Sequence, residues 1–494
     1  MPPSRRRRLP DPQLSRREFL GGALAAGALA VPGLFAPGCG GSSQPVPPLV
    51  VDPNSPWWLQ NNFAPVAEET MARALPVRGA LPPELTGTYV RNGSNPQSGD
   101  STHWFIGDGM VHGIRLEQGE ASWYRNKYID TPYYRTGTDY RDGGFGPPMG
   151  ANHQANVSMI AHAGKLLASG EVGAPYIIDP DTLETLGWTD FDGALSHSFT
   201  AHSKIDPATG YLHFFGYFFA PPYLRYYVAD TTGRVVHATD IGVASGTMIH
   251  SFAITESDVV FWECPVLFGA GGTAGGFPYG WQPEYGTRIG VMPLGGTGEE
   301  IRWVEIPNGY VFHESNAWRD GDEIVLDVCR YEKMMDGERL GSLPPQLRRW
   351  RVGTGESMTF REETLVEEFS VEFPYIDKRH LGRPTRHGWF VEFRDHPDTI
   401  DPGGIVHRDD RSGAVARWDP GLARQAGEAL FVPAAAASAE GEGWLLSVVY
   451  DRAADASDLV VLDALEVARG PVAEVRLPQR VPFGFHGDWV AADS

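Results

Sequence analysis

Cysteine is scarce. Only Cys39, Cys264 and Cys329 occur in 494 residues, too few for a disulfide framework or a zinc site built from thiolates. Cys264 and Cys329 end strand-like runs, Phe261-Trp262-Glu263-Cys264 and Leu326-Asp327-Val328-Cys329, and read as two separate buried thiols. Positive charge is also short: 41 Lys and Arg face 62 Asp and Glu, a formal net charge of −21. That balance disfavours a nucleic-acid partner, which would need its phosphates neutralised, and electrostatic docking on an anionic bilayer, and no nucleic acid is expected. It leaves docking through an apolar patch open. No local metal motif such as His-Glu-x-x-His is present, and no fixed-period repeat of the kind that marks common propeller families runs through the chain.

Core-forming residues are plentiful, with 42% apolar and 11% aromatic content, so the chain is not disordered. Its 59 Gly and 40 Pro suit short strands joined by turns. Such runs include 87–93, 164–170, 211–216, 258–262, 323–328 and 444–450, all but the leucine-bearing 164–170 rich in β-branched or aromatic residues. Between them lie turn formers such as Asp206-Pro207-Ala208-Thr209-Gly210 and Asp230-Thr231-Thr232-Gly233. One segment, Asp419 to Leu430, carries a helical period, with Asp419 as N-cap and Pro420 at the first helical position. Many antiparallel strands over a chain this long predict a propeller or a large sandwich.

Residues 1–40 read as an address. Arg5 to Arg8, Arg16 and Arg17 precede an apolar stretch from Phe19 to Ala36 that is rich in Gly and Ala and broken by Pro32, too interrupted for a spanning helix. Ser15-Arg16-Arg17-Glu18-Phe19-Leu20 resembles a twin-arginine export signal, which implies export of a folded protein to the periplasm or beyond. Ala36-Pro37-Gly38-Cys39 imperfectly resembles a lipoprotein cleavage box, making Cys39 a candidate lipid anchor. Residues 41–56 read as a Gly/Ser/Pro linker and 57–494 as the folded domain. Protein purified from cells whose mass still includes Met1 would refute processing and export.

Four of the 15 histidines stand at the edges of apolar runs rather than in charged loops. They are His202 in Phe199-Thr200-Ala201-His202-Ser203, His250 in Met248-Ile249-His250-Ser251-Phe252, His313 in Val311-Phe312-His313-Glu314, and His486 in Phe483-Gly484-Phe485-His486-Gly487. Their spacing alone does not establish a metal site. Together with Gly87-Thr88-Tyr89-Val90-Arg91-Asn92-Gly93-Ser94-Asn95-Pro96, the run His103 to His112, Gly170-Glu171-Val172-Gly173-Ala174-Pro175-Tyr176, Leu183 to Gly187 and Val371-Glu372-Phe373-Pro374, they resemble the carotenoid cleavage oxygenase family. That family also holds the visual-cycle retinoid isomerase and stilbene dioxygenases. The resemblance spans about Gly87 to Val490.

The resemblance implies an all-β, seven-bladed β-propeller with loops capping the metal-bearing face. It implies Fe(II) on the axis, with His202, His250, His313 and His486 as ligands and Glu171, Glu372 and Glu428 as the carboxylates that hold them. Ala429 stands where the family usually has proline, and Ser251 where it usually has aspartate; the geometry near Glu428 and His250 is where a departure is expected. His103 and His112 read as structural. The implied reaction is O₂-dependent cleavage of a small apolar alkene to two carbonyl products, with no organic cofactor. A carotenoid or apocarotenoid is the first-choice substrate; stilbene cleavage and non-oxidative isomerisation are alternatives. Lys127 and Tyr128 read either as phenol-binding or as structural strand residues. The Gly-rich loop 266–281, with Leu267, Phe268, Phe277, Tyr279 and Trp281, reads either as peripheral membrane contact or as an ordinary loop over the propeller face.

Overall fold

The apolar runs pair antiparallel, most of them with their chain neighbours, into small sheets, because short turns between consecutive strands favour local pairing. The computed structural model describes residues 49–137, 150, 152–270, 277–335 and 344–492. The export signal, Cys39 and the linker up to residue 48 lie outside the described residues, as do 271–276 of the Gly-rich loop. Among the described residues the one α-helix is Pro132–Thr136, capped by Thr131 and by left-handed Gly137. None is long and apolar enough to cross a membrane.

The sheets form seven blades of a β-propeller, plus a two-stranded hairpin, Val266–Phe268 with Tyr279–Trp281. The first blade holds Gly87–Ser94, Gly109–Glu117 and Glu120–Tyr128. The following blades begin at Ser158–His162, Lys204–Ile205, Ala253–Ile254, Tyr310–Asp320 and Val371–Ile376, and the seventh at Arg424–Ala426 with Leu430–Pro433. Both ends of the chain close the ring. The C-terminal strand Gly487–Ala491 pairs with Gly87–Ser94 of the first blade, and Val77–Gly79 pairs with Pro471–Arg476 of the seventh. Gly93 is required at this closure, since a Cβ there would lie 2.8 Å from the Gly484 Cα.

Neighbouring blades pack face to face, so the core divides into apolar clusters between blades. Trp389 stacks flat on Phe431 at 4.7 Å between the sixth and seventh blades, and its indole N–H donates to the Ala464 carbonyl at 2.8 Å. Such a ring buries a large apolar area while keeping its one polar atom satisfied. Cys264 and Cys329 are both free and buried, as their strand contexts predict.

The helix expected from Asp419 to Leu430 is absent: this segment makes the strands Arg424–Ala426 and Leu430–Pro433, both paired with Gly443–Asp451. Tertiary pairing overrides the local period. Arg424 is drawn into ion pairs with Asp458 at 2.9 Å and Glu474 at 2.8 Å, and Ala426 and Leu430 enter the core.

Five buried histidines away from the axis tie stability to pH. Burial holds His103 and His112 down to about 3, and His153, His213 and His407 down to about 4, from 6.5. They stay neutral when folded and take up protons on unfolding, so between these values the unfolded state binds more protons. Stability is therefore expected to be full above about pH 6.5 and to fall as pH drops toward 4, by up to about 1.4 kcal/mol per pH unit for each such histidine. Thermal unfolding midpoints across pH 4 to 7.5 check this; a flat profile below pH 6.5 would contradict it.

Candidate metal centre

The first strands of the blades touch one another around the axis: Tyr310–Asp320 contacts Ala253–Ile254 and Val371–Ile376, and Leu430–Pro433 contacts Val371–Ile376 and Gly487–Ala491. Residues at the ends of these strands, or bulged out of them, therefore converge. His202 and His250 lie just before the first strands of the third and fourth blades, His313 lies within that of the fifth, and His486 directly precedes the closing strand of the first. Glu171 follows the second strand of the second blade, Glu372 lies in the first strand of the sixth, and Glu428 sits between the two short strands that open the seventh. Each blade thus contributes one residue, four histidines and three glutamates.

Backbone irregularities aim them. The pairing register of Tyr310–Asp320 shifts on either side of Glu314, and that of Val371–Ile376 shifts after Glu372, where Phe373 adopts φ 50°. Bulges of this kind re-aim side chains next to sites, and a non-glycine residue held in the left-handed region costs about 1–3 kcal/mol. At Phe373 the result is a ring seated 5.4 Å from His313 and 5.3 Å from His486.

The four imidazoles form one cluster, with a nitrogen from each lying within 4.8 Å of the others. His202 Nε2 and His250 Nε2 are 2.9 Å apart, the spacing of two ligands at right angles on a metal about 2.1 Å from each. His313 Nε2 is buried and has no hydrogen-bond partner, an arrangement that costs free energy unless something in the shared space accepts its lone pair. A divalent metal fits that donor set.

Two of the rings, His313 and His486, are hydrogen-bonded from behind, and His250 faces a carboxylate at close range without hydrogen-bond geometry. His313 Nδ1 lies 2.5 Å from Glu372 Oε2, His486 Nδ1 2.8 Å from Glu428 Oε1, and His250 Nδ1 2.8 Å from Glu171 Oε2. A carboxylate there fixes the ring tautomer, leaving the other nitrogen free to ligate. The carboxylates are anchored in turn: Glu372 accepts the Phe373 N–H at 2.5 Å, Glu428 the Gly487 N–H at 2.9 Å and Glu171 the Tyr217 hydroxyl at 2.7 Å. His202 has no carboxylate partner among the described residues. Beside Ala429 the Glu428–His486 hydrogen bond is in place, whereas beside Ser251 the His250 Nδ1 lies close to Glu171 without a hydrogen bond.

The electrostatics keep His202 and His486 in their metal-binding form. Burial first, then the neighbouring His250, His486 and His313, hold His202 well below 6.5. Burial outweighs Glu428 and holds His486 down to about 4. Burial on its own would raise the Glu428 carboxyl, but His486, the Gly487 N–H and Lys378 outweigh it and hold it below its usual value. At neutral pH His202 and His486 are neutral and Glu428 is ionised, the protonation a metal site requires.

His250, His313, His486, Glu171 and Glu372 form the floor of a cavity of about 1220 Å³, its open mouth included. Its walls include Trp104, Phe105, Phe218, Phe277 and Phe485 from loops over the propeller face and Phe312 from the strand Tyr310–Asp320. Lys127 and Tyr128 do not line it. Lys127 pairs with Glu69 at 2.8 Å and the Tyr128 hydroxyl bonds Asn95, so both act as structural strand residues. His112 bonds Tyr124, and His103 stacks on Phe277 at 4.5 Å. Tyr217 was not foreseen as part of the site; nothing in its strand sequence marks it, since only folding brings the second and third blades together.

The sequence profile described as "Retinal pigment epithelial membrane protein" matches residues 63–491. The chain belongs to that family. It is 34% identical to the carotenoid cleavage oxygenase of Mycobacterium tuberculosis, with 87% of this chain and 97% of the relative covered. It is 34% identical to the isoeugenol monooxygenase of Pseudomonas nitroreducens over the same shares of each chain. The crystal structure of Pseudomonas brassicacearum lignostilbene dioxygenase superposes with a TM-score of 0.81 at 29% identity, covering 90% of this chain and all of that one. The protein is a dioxygenase-type enzyme of this family, with a four-histidine metal site on a seven-bladed propeller.

Proposed function

We propose that the protein is an Fe(II)-dependent dioxygenase that cleaves a carbon–carbon double bond of a carotenoid or apocarotenoid. O₂ would supply both carbonyl oxygens, one to each product. The observation that carries this reading is the almost wholly apolar, aromatic-walled cavity that ends on three of the four histidines. A rod-like polyene gains its binding energy from such walls and needs no polar anchor along its length. Iron is favoured over zinc because four neutral nitrogens leave open positions on an ion that prefers six ligands, whereas zinc is satisfied with four. A ferrous ion held there supplies the redox chemistry that lets O₂ react with a closed-shell alkene.

The chain's own residues do the rest. The aromatic walls exclude water and fix which double bond lies over the histidines, converting an encounter into an oriented pair. Glu171, Glu372 and Glu428 offset the metal charge that neutral ligands leave uncompensated. No side chain is needed to move a proton, since alkene and O₂ together hold every atom of the two products.

A second reading, stilbene-type cleavage, draws on the similarity to the lignostilbene dioxygenase and the isoeugenol monooxygenase. The placement of Lys127 and Tyr128 away from the cavity weighs against their use as phenol anchors. Incubation with β-apo-carotenals and with hydroxystilbenes under ¹⁸O₂, followed by product mass, separates the readings. Aldehyde or ketone pairs from the apocarotenal, with label in both halves, are expected; label in one half would make the enzyme a monooxygenase. Isomerised substrate without label would overturn cleavage.

Export by the twin-arginine route belongs to the proposal, with the enzyme periplasmic or extracytoplasmic and Cys39 a candidate anchor. So does contact of the 266–281 loop with a lipid surface. Phe268 is partly exposed and stacks on Phe219 at 4.6 Å at the edge of the cavity, which supports a route for apolar substrate from a membrane.

A further inference from the structure

Three residues beside the histidines, but pointing away from the shared space, form a buried polar group that the site as described does not use. Glu314 follows His313, Ser251 follows His250, and Lys204 lies two positions after His202. The Ser251 hydroxyl donates to Glu314 Oε2 at 2.7 Å, and the Lys204 ammonium pairs with Glu314 Oε1. The Glu314 side chain is 3% exposed and that of Lys204 14%; Ser251 is fully buried. These residues come from three successive blades, the third, fourth and fifth, the ones that carry His202, His250 and His313.

We propose that Lys204, Glu314 and Ser251 form a brace that sets the spacing of His202, His250 and His313, so that Glu314 is a positioning residue of the metal site. The inference rests on the metal-site reading above. A buried ion pair adds little net stability but fixes geometry when each partner is satisfied, and losing one partner leaves an unpaired charge. A serine hydroxyl joining the pair ties in the segment that bears His250. The brace also gives His202, which lacks a carboxylate of its own, a route by which its segment is held. At position 251 the family usually places an aspartate; here the serine hydroxyl donates instead to a carboxylate at position 314.

Titration of the metal-free protein with Co²⁺, read by its visible absorption, tests this. Glu314→Gln keeps side-chain volume and removes the charge. It is expected to weaken Co²⁺ binding by about tenfold or more and to alter the band pattern, with near-ultraviolet circular dichroism unchanged. The double variant Glu314→Ala/Ser251→Asp, which returns a carboxylate from the neighbouring backbone, is expected to recover most of the wild-type affinity and spectrum. Asp327→Asn breaks a buried ion pair with Arg349 elsewhere in the fifth blade; it should lower thermal stability and leave the Co²⁺ spectrum alone. Glu314→Gln with wild-type affinity and spectrum overturns the brace. If Glu314→Gln does not fold, the double variant decides: wild-type Co²⁺ binding supports the brace, and a folded protein with lost binding overturns it. Wild-type protein that binds no Co²⁺ instead overturns the metal-site reading.

Discussion

Replacing His313 with alanine is expected to remove metal from the purified protein and to abolish double-bond cleavage, while the propeller still folds. Metal content by mass spectrometry and the thermal unfolding midpoint check the two halves of this expectation. His313 is the ring whose free nitrogen is buried without a partner and whose other nitrogen is held at 2.5 Å by Glu372. Its removal takes away one of four donors and leaves the buried Glu372 carboxylate without its imidazole. The loss should therefore exceed the roughly 10–100-fold typical of changing a residue behind a ligand. The fold should persist because the apolar clusters that hold the blades together lie between blades, and His313 belongs to none of them. Unaltered metal content in this variant would remove the imidazole cluster from the metal site.

The glutamates should then rank by burial. Glu372→Gln and Glu428→Gln are each expected to weaken metal binding by about 10–100-fold, and Glu171→Gln by less. The side chains of Glu372 and Glu428 are 2% and 6% exposed, against 24% for Glu171. Charge–charge interaction strengthens as water is excluded, so a carboxylate partly open to solvent supports the metal less. Glu171 also accepts the Tyr217 hydroxyl, which keeps a bond to that position after the charge is gone. Competitive titration with a chelator measures all three on one scale. Equal losses, or the largest loss at Glu171, would refute burial as the controlling variable.

The same distinction between local pattern and long-range packing runs through the whole molecule. The strands at 87–93, 258–262 and 444–450 were legible because their β-branched and aromatic residues carry a local signal, and each lies within an observed strand. The segment Asp419 to Leu430 was misread because its period is equally compatible with a helix. Only the partners Asp458, Glu474 and the strand Gly443–Asp451 decide it. Lys127 had two readings in sequence, and Glu69, far from it along the chain, chooses between them.

By itself the sequence determined that the chain would be built from short strands, that Cys264 and Cys329 would be separate buried thiols, and that four histidines in matching apolar contexts stood apart from the other eleven. Local composition suffices for these, because strand formation and burial follow from the residues themselves. The tertiary structure decided that one histidine or glutamate from every blade meets on the axis, and that Tyr217, Ser251, Glu314 and Lys204 stand behind them. Those contacts join residues tens to hundreds of positions apart, and closing the ring is the event that brings the blade ends within bonding distance.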